Sequence, residues 1–73
     1  MPIALITGVT GQDGTYLSRT LLADGVEVHG VVRSDSTSPV EPGVTVHYGD
    51  IRDERMLSEL VAGLQPDELY HLA

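Results

Sequence analysis

The sequence predicts an α/β protein built on an open parallel sheet of about four strands with two helices, and three observations carry that expectation. Short apolar runs rich in valine, isoleucine and leucine alternate with stretches whose apolar residues recur at helical spacing. The first apolar run ends in a glycine-rich turn that leads directly into the first helical stretch. A glycine or a proline closes each helical stretch before the next apolar run begins.

Ile3 to Thr7, bounded by Pro2 and Gly8, has the continuous apolar character of a strand buried on both faces. Leu17, Leu21 and Leu22 then mark a helix from Gly11 or Gln12 to Asp24, with Gly25 in the position favoured just past a helix end. Val26 to Val32 reads as the second strand. The polar stretch from Arg33 to Gly43, with Pro39 and Pro42, is a crossover loop without a clear helix. Val44 to Tyr48 is a short third strand. Asp53 has the side chain of an N-cap, and Met56, Leu57, Leu60, Val61 and Leu64 form the apolar stripe of a second helix closed by Gly63 and Pro66. Leu69 to Ala73 reads as a fourth strand. Strands joined through helices run parallel with right-handed crossovers, which predicts the order 3-2-1-4, half of a doubly wound nucleotide-binding fold with its switch-point strand.

Composition narrows the chemistry. The chain has 73 residues, a net charge of −7 and no cysteine, which removes disulfides and thiolate metal sites. Its positive residues are Arg19, Arg33, Arg52 and Arg55, spread among carboxylates, so no basic stripe is offered to a nucleic acid. No apolar run approaches the ~20 residues of a membrane span, and Asp13 with the glycines interrupts the N-terminus before a secretory segment could form. A cytoplasmic chain is the expectation. Lysine is absent, so a P-loop lysine or a Tyr-Lys dyad cannot be built from these residues, although base composition of the coding sequence also accounts for the absence. His29, His47 and His71 show no metal-ligand spacing, and no metal site is expected.

The chemistry concentrates in Gly8-Val9-Thr10-Gly11-Gln12-Asp13-Gly14. Gly8 permits a tight turn, Gly11 leaves space for a pyrophosphate, and Gly14 allows close packing of the helix. Backbone N–H groups at the start of the helix then face the phosphates, so the candidate phosphate-binding residues are Gly8, Thr10, Gly11, Gln12, Asp13 and Gly14. Ribose selectivity is set at the end of the second strand, about 20 residues beyond the glycines. Arg33 occupies that place, where a guanidinium matches a 2′-phosphate and points to NADP over NAD. Two alternatives stay open there: Arg33 paired with Asp35 in solvent, and Asp35 itself as a ribose ligand. Asp50 and Ile51, after the third strand, would overhang the same crevice, with Asp50 accepting from an adenine amino group or else capping the turn before the second helix. Tyr16 is placed under the phosphate loop.

These residues give the chain a resemblance to the N-terminus of the extended short-chain dehydrogenase/reductase family, and within it to the GDP-mannose 4,6-dehydratases. It runs through residues 4 to 17, 28 to 33, 47 to 53 and 69 to 73, and Gly-Gln-Asp-Gly at 11 to 14 is its most specific part. The resemblance implies a Rossmann-like fold in which Gly8, Gly11 and Gly14 hold NADP, Asp50 and Ile51 flank adenine, Arg33 holds the 2′-phosphate, and Leu72 and Ala73 border the cofactor. Ser34 and His71 depart from it, since the family often has arginine and asparagine at those places. It also implies an internal redox cycle that converts GDP-mannose to GDP-4-keto-6-deoxymannose, with a Thr/Ser, a Glu and a Tyr-x-x-x-Lys motif as catalytic groups. None of the three tyrosines here has lysine four residues on, so residues 1–73 are expected to be the N-terminal part of the dinucleotide domain, with no catalytic residue of their own, a sugar-nucleotide partner only in a full-length parent, and a tendency to self-associate. The competing expectation is a free-standing mononucleotide-binding or interaction module without catalysis.

Overall fold

The computed structural model describes residues 1–72. Its elements are β1 (Ile3–Thr7), α1 (Gln12–Ala23), β2 (Glu27–Val32), β3 (Thr45–Tyr48), α2 (Glu54–Leu64) and β4 (Glu68–His71). All pairings are parallel and the sheet order is β3-β2-β1-β4, as the sequence predicts. Ile6 stands in register with Gly30 on one side and Tyr70 on the other, and Gly30 with Val46.

One face of the sheet forms the main core. Ala4, Ile6, Val28 and Val32 pack with Val9 and Leu21 there, and Leu17, Leu22, Val40, Val44 and Tyr70 close its margin. The crossover loop is pinned to α1 by the Arg19 guanidinium, whose Nε and Nη2 each lie 3.2 Å from the Glu41 carboxylate. The opposite face carries Leu5, Thr7, His29 and Val31, all buried, and is met by α2, whose Leu57 and Val61 line a groove with Leu69.

The boundaries shift from the expected ones for local reasons. Strand β4 begins at Glu68 because Asp67 is already tied to β1: its N–H donates to the Ile3 carbonyl at 2.8 Å, and its carboxylate accepts from the Ile3 N–H at 2.8 Å. Gly63 lies inside α2 instead of ending it. Gln65, hindered from helical geometry by Pro66, takes the left-handed cap conformation with φ 48°. Strand β3 starts one residue late, at Thr45, after the turn at Gly43. Among the described residues no helix is long and apolar enough to cross a membrane.

Candidate functional site

The loop from Gly8 to Gly11 turns at the end of β1, where φ of Gly8 is +76° and the Gly11 N–H donates to the Gly8 carbonyl at 3.2 Å. Gly11 is the N-cap of α1 and has no side chain with which to satisfy the helix's first N–H groups. Helix α2 is the contrast: the Asp53 carboxylate accepts from the Met56 N–H at 3.1 Å. The start of α1 therefore keeps its donors and its dipole available to an anion.

The other two glycines differ in what surrounds them. A Cβ at Gly14 would lie 2.8 Å from the backbone of Val9, so this glycine is required for α1 to sit against the loop. A Cβ at Gly11 would meet only the Gly8 carbonyl oxygen, at the ordinary distance of 3.5 Å. Among the described residues nothing demands glycine at 11, in contrast to 14.

Two hollows flank this loop. One, of about 170 Å³, lies among Gly8, Thr10, Arg33, Ser36, Gly49 and Ile51, and it adjoins another of about 230 Å³ bordered by Arg33, Ser34, Asp35 and Asp50. On the other side, Gln12, Asp13, Tyr16, Leu17 and Leu72 line a hollow of about 480 Å³. The loop thus sits mid-way along a crevice at the carboxyl ends of the strands, at the switch point between β1 and β4. Leu72 is held there by its N–H, which donates to the Thr7 carbonyl at 3.0 Å. Ala73, the remaining expected site residue, lies outside the described residues. Tyr16 is exposed on the outer surface of α1 and lines the larger hollow, where the sequence had placed it beneath the loop.

At the β2–β3 end the charges are already paired. Arg33 Nη2 lies 3.1 Å from Asp35 Oδ2, with both side chains well exposed. Asp50 accepts from the Arg52 backbone N–H at 2.9 Å and from Arg52 Nη2 at 2.7 Å, and the Arg52 guanidinium holds its carboxyl down to about 2. The plainer alternatives that the sequence left open, Arg33 paired with Asp35 and Asp50 capping the turn before α2, are therefore both present, and the ion pair of Asp50 with Arg52 is an addition to them. Neither closes the hollow, because Arg33 and Asp50 line it with their charged ends in solvent.

Three supporting residues escaped the sequence reading. Val9, fully buried, anchors the loop in the core against Gly30. Thr7, also fully buried, has its hydroxyl 2.7 Å from His71 Nδ1. Ser36 borders the smaller hollow. Gly30 in mid-strand was the available signal for the first, since a strand glycine marks a close approach. Among the described residues no group of three or more His, Asp or Glu side chains is arranged to hold a metal ion.

Comparison with known proteins decides the family. Residues 5–73 match the family model described as GDP-mannose 4,6 dehydratase. The chain belongs to that family. It is 46% identical to the GDP-mannose 4,6-dehydratase sdnI of Sordaria araneosa, with 96% of this chain and 14% of that protein covered. It is 45% identical to the GDP-mannose 4,6-dehydratase of Vibrio cholerae serotype O1, with 96% and 22% covered, and 39% identical to the human enzyme, with 96% and 23% covered. The chain thus spans less than a quarter of these relatives. Among solved structures, Bordetella bronchiseptica WbmH in complex with NAD+ superposes with a TM-score of 0.84 at 32% identity, over 100% of this chain and 26% of WbmH. WbmG from the same organism, in complex with NAD and UDP, gives 0.79 at 27% identity over 96% and 24%. The fold is Rossmann-like, as in these neighbours.

Proposed function

We propose that residues 1–73 form the cofactor-binding part of a cytoplasmic, NADP-dependent sugar-nucleotide 4,6-dehydratase acting on GDP-mannose. The observation that carries this reading is the uncapped N-terminus of α1, opened by a glycine at 11 that no contact among the described residues requires, between two hollows at the switch point of the sheet. Gly8, Thr10, Gly11, Gln12, Asp13 and Gly14 hold the pyrophosphate through backbone N–H groups. Ile51 packs beside adenine while ionised Asp50 accepts from its amino group. Leu72 and Ala73 border the other half of the cofactor.

Arg33 binds the 2′-phosphate by exchanging its Asp35 partner for it. The same pair gives NAD a weaker foothold, because Asp35 can accept from a 2′-hydroxyl. The nicotinamide, when bound, supplies reversible hydride transfer; residues 1–73 bind and orient it, and the acid–base groups and the GDP-sugar site belong to the remainder of a full-length enzyme. Calorimetric titration with NADP and NAD tests the reading. NADP binds more tightly, and Arg33→Ala removes the preference; equal affinities, or a preference that survives the substitution, overturn the 2′-phosphate assignment.

A further inference from the structure

Away from the phosphate loop, three titratable side chains join β2 to β3. The Glu27 carboxylate lies 2.6 Å from His29 Nε2, and His29 Nδ1 lies 2.8 Å from His47 Nε2. The imidazoles are stacked with centroids 5.1 Å apart, and the His29 side chain is only 9% exposed. Proton placement follows from the partners. An ionised carboxylate only accepts, so His29 Nε2 carries hydrogen. Neutral His29 then has a lone pair on Nδ1, which accepts from the His47 Nε2–H. His47 Nδ1 has no hydrogen-bond partner among the described residues. One proton can enter there with both bonds intact, but a second must go to His29 Nδ1, the atom that accepts from His47, and must break that bond.

The neighbourhood offers little compensation for a second charge. Leu5 is in register with His29 on the β1 side. From α2, which meets this face, the charged residues are Glu54, Arg55 and Glu59; all are exposed, and Arg55 is paired with Glu59 at 3.3 Å. On β4, His71 is engaged with Thr7, and Glu68 with Tyr70; Asp67 is bonded to the Ile3 N–H. Glu27 is the carboxylate that touches the pair.

The position ties this cluster to the candidate site. Strand β3 has four residues, lies at the sheet edge and pairs with β2. Beyond Val32 and Tyr48 the two strands run directly into Arg33 and into Gly49-Asp50-Ile51, and the Gly49 N–H donates to the Val32 carbonyl at 2.9 Å.

We propose that Glu27, His29 and His47 form a proton-limited latch, which holds β3 against β2 while the histidine pair carries at most one proton and opens on the second, so that the spacing of Arg33 and Asp50 responds to pH. Burial, and then the neighbouring His29, push His47 below the ordinary histidine value of 6.5. The first proton leaves both bonds in place: the stability contributed by neutral His47 is complete above 6.5 and falls as pH drops through the lower folded value, before the second proton opens the latch. His29 and His47 are positioning residues here. The effect on the dinucleotide rests on the proposed function; the latch itself does not.

The wild-type chain, without dinucleotide, is titrated by imidazole 15N NMR and by amide exchange at His47 and Gly49, the alternate N–H groups that face β2. The pair takes up its protons one at a time, and exchange corrected for its intrinsic pH dependence rises by up to about tenfold per pH unit as pH falls toward uptake of the second, levelling off below it. His47→Gln, whose amide can donate to His29 Nδ1 or turn to accept from it, keeps β3 docked near neutrality and flattens the acid response. Independent titration of the two rings, flat exchange in the wild type, or an unchanged acid response in His47→Gln overturns the latch. NAD+ affinity is followed over the same range, since NAD+ lacks the 2′-phosphate that itself titrates near pH ~6. Loss in acid that His47→Gln abolishes supports the coupling, and pH-independent binding over an opening latch overturns it. An opening latch with no NAD+ binding at any pH refutes the dinucleotide reading alone.

Discussion

Val9 occupies the space that a side chain at position 30 would need: a Cβ built on Gly30 lies 2.7 Å from one Val9 methyl and 2.8 Å from the other. The valine is fully buried and β-branched, so it cannot turn aside cheaply. The glycine-rich loop after β1 is therefore fastened to the middle of β2, and its shape is part of the core. Gly30→Ala should destabilise the fold by about 1–3 kcal/mol, the usual range for overpacking. Urea melts measure it, and Val9→Ala in the same chain should recover part of the loss.

Gly11 and Gly14 should separate binding from folding. Gly14→Ala drives a methyl into the Val9 backbone and should lower the urea midpoint with or without dinucleotide. Gly11→Val should leave the melt close to wild type and weaken either dinucleotide severely, because the branched side chain projects where a pyrophosphate meets the backbone. Paired melts and calorimetric titrations read the two effects. Unchanged affinity in folded Gly11→Val would remove the phosphate-loop assignment.

The two glycines also show which parts of this molecule were legible beforehand. Strand order, both helices and the turn at Gly8 follow from local signals: apolar runs, helical spacing and a position with positive φ. The limits of β4 and α2 depend on Asp67 reaching Ile3 and on Gln65 being squeezed by Pro66, of which the first is set by a residue distant in sequence. Thr7 with His71 and His29 with His47 are hidden for the same reason. Each pair joins neighbouring strands, and the facing residues are known only once register is known. In the candidate site, the loop glycines and Arg33 could be read from spacing. That Arg33 already holds Asp35 could be raised only as an alternative, and the fork of Arg52 on Asp50 was not legible there, because it depends on how the turn after β3 folds back.

The Asp50 carboxyl should stay ionised well into acid. Its hydrogen bonds from the Arg52 side chain and backbone hold it near 2, against 3.8 for an ordinary aspartate. Because the folded value lies below the unfolded one, the contribution of this pair is complete above about 3.8 and fades as pH falls toward 2. Carboxyl 13C NMR should find Asp50 still charged at pH 3, and Arg52→Ala should move its midpoint back toward 3.8. A midpoint that ignores the substitution would show that the fork does not form in solution.

A polypeptide of these 73 residues should associate with itself. Strand β4 lies at one edge of the sheet, where its outward N–H and C=O groups form a template for another strand. Beside that edge Leu69 and Leu72 are 54% and 44% exposed, and Leu57 and Val61 of α2 leave an apolar groove next to Leu69. At this size burial comes close to cancelling ordering entropy, at about 1.5 kcal/mol per ordered residue, so covering these side chains is a substantial gain. Dinucleotide adds only about 2.7 kcal/mol even at a hundredfold excess over Kd. The net charge of −7 opposes association, so salt should strengthen it by screening. Sedimentation at micromolar concentration should therefore show species larger than a monomer, more so at high salt, and the urea midpoint should rise with protein concentration. Leu69→Glu, which places a charge between the edge and the groove, should shift the population toward monomer. A monodisperse monomer with a concentration-independent, cooperative melt would contradict this and would favour a free-standing module instead.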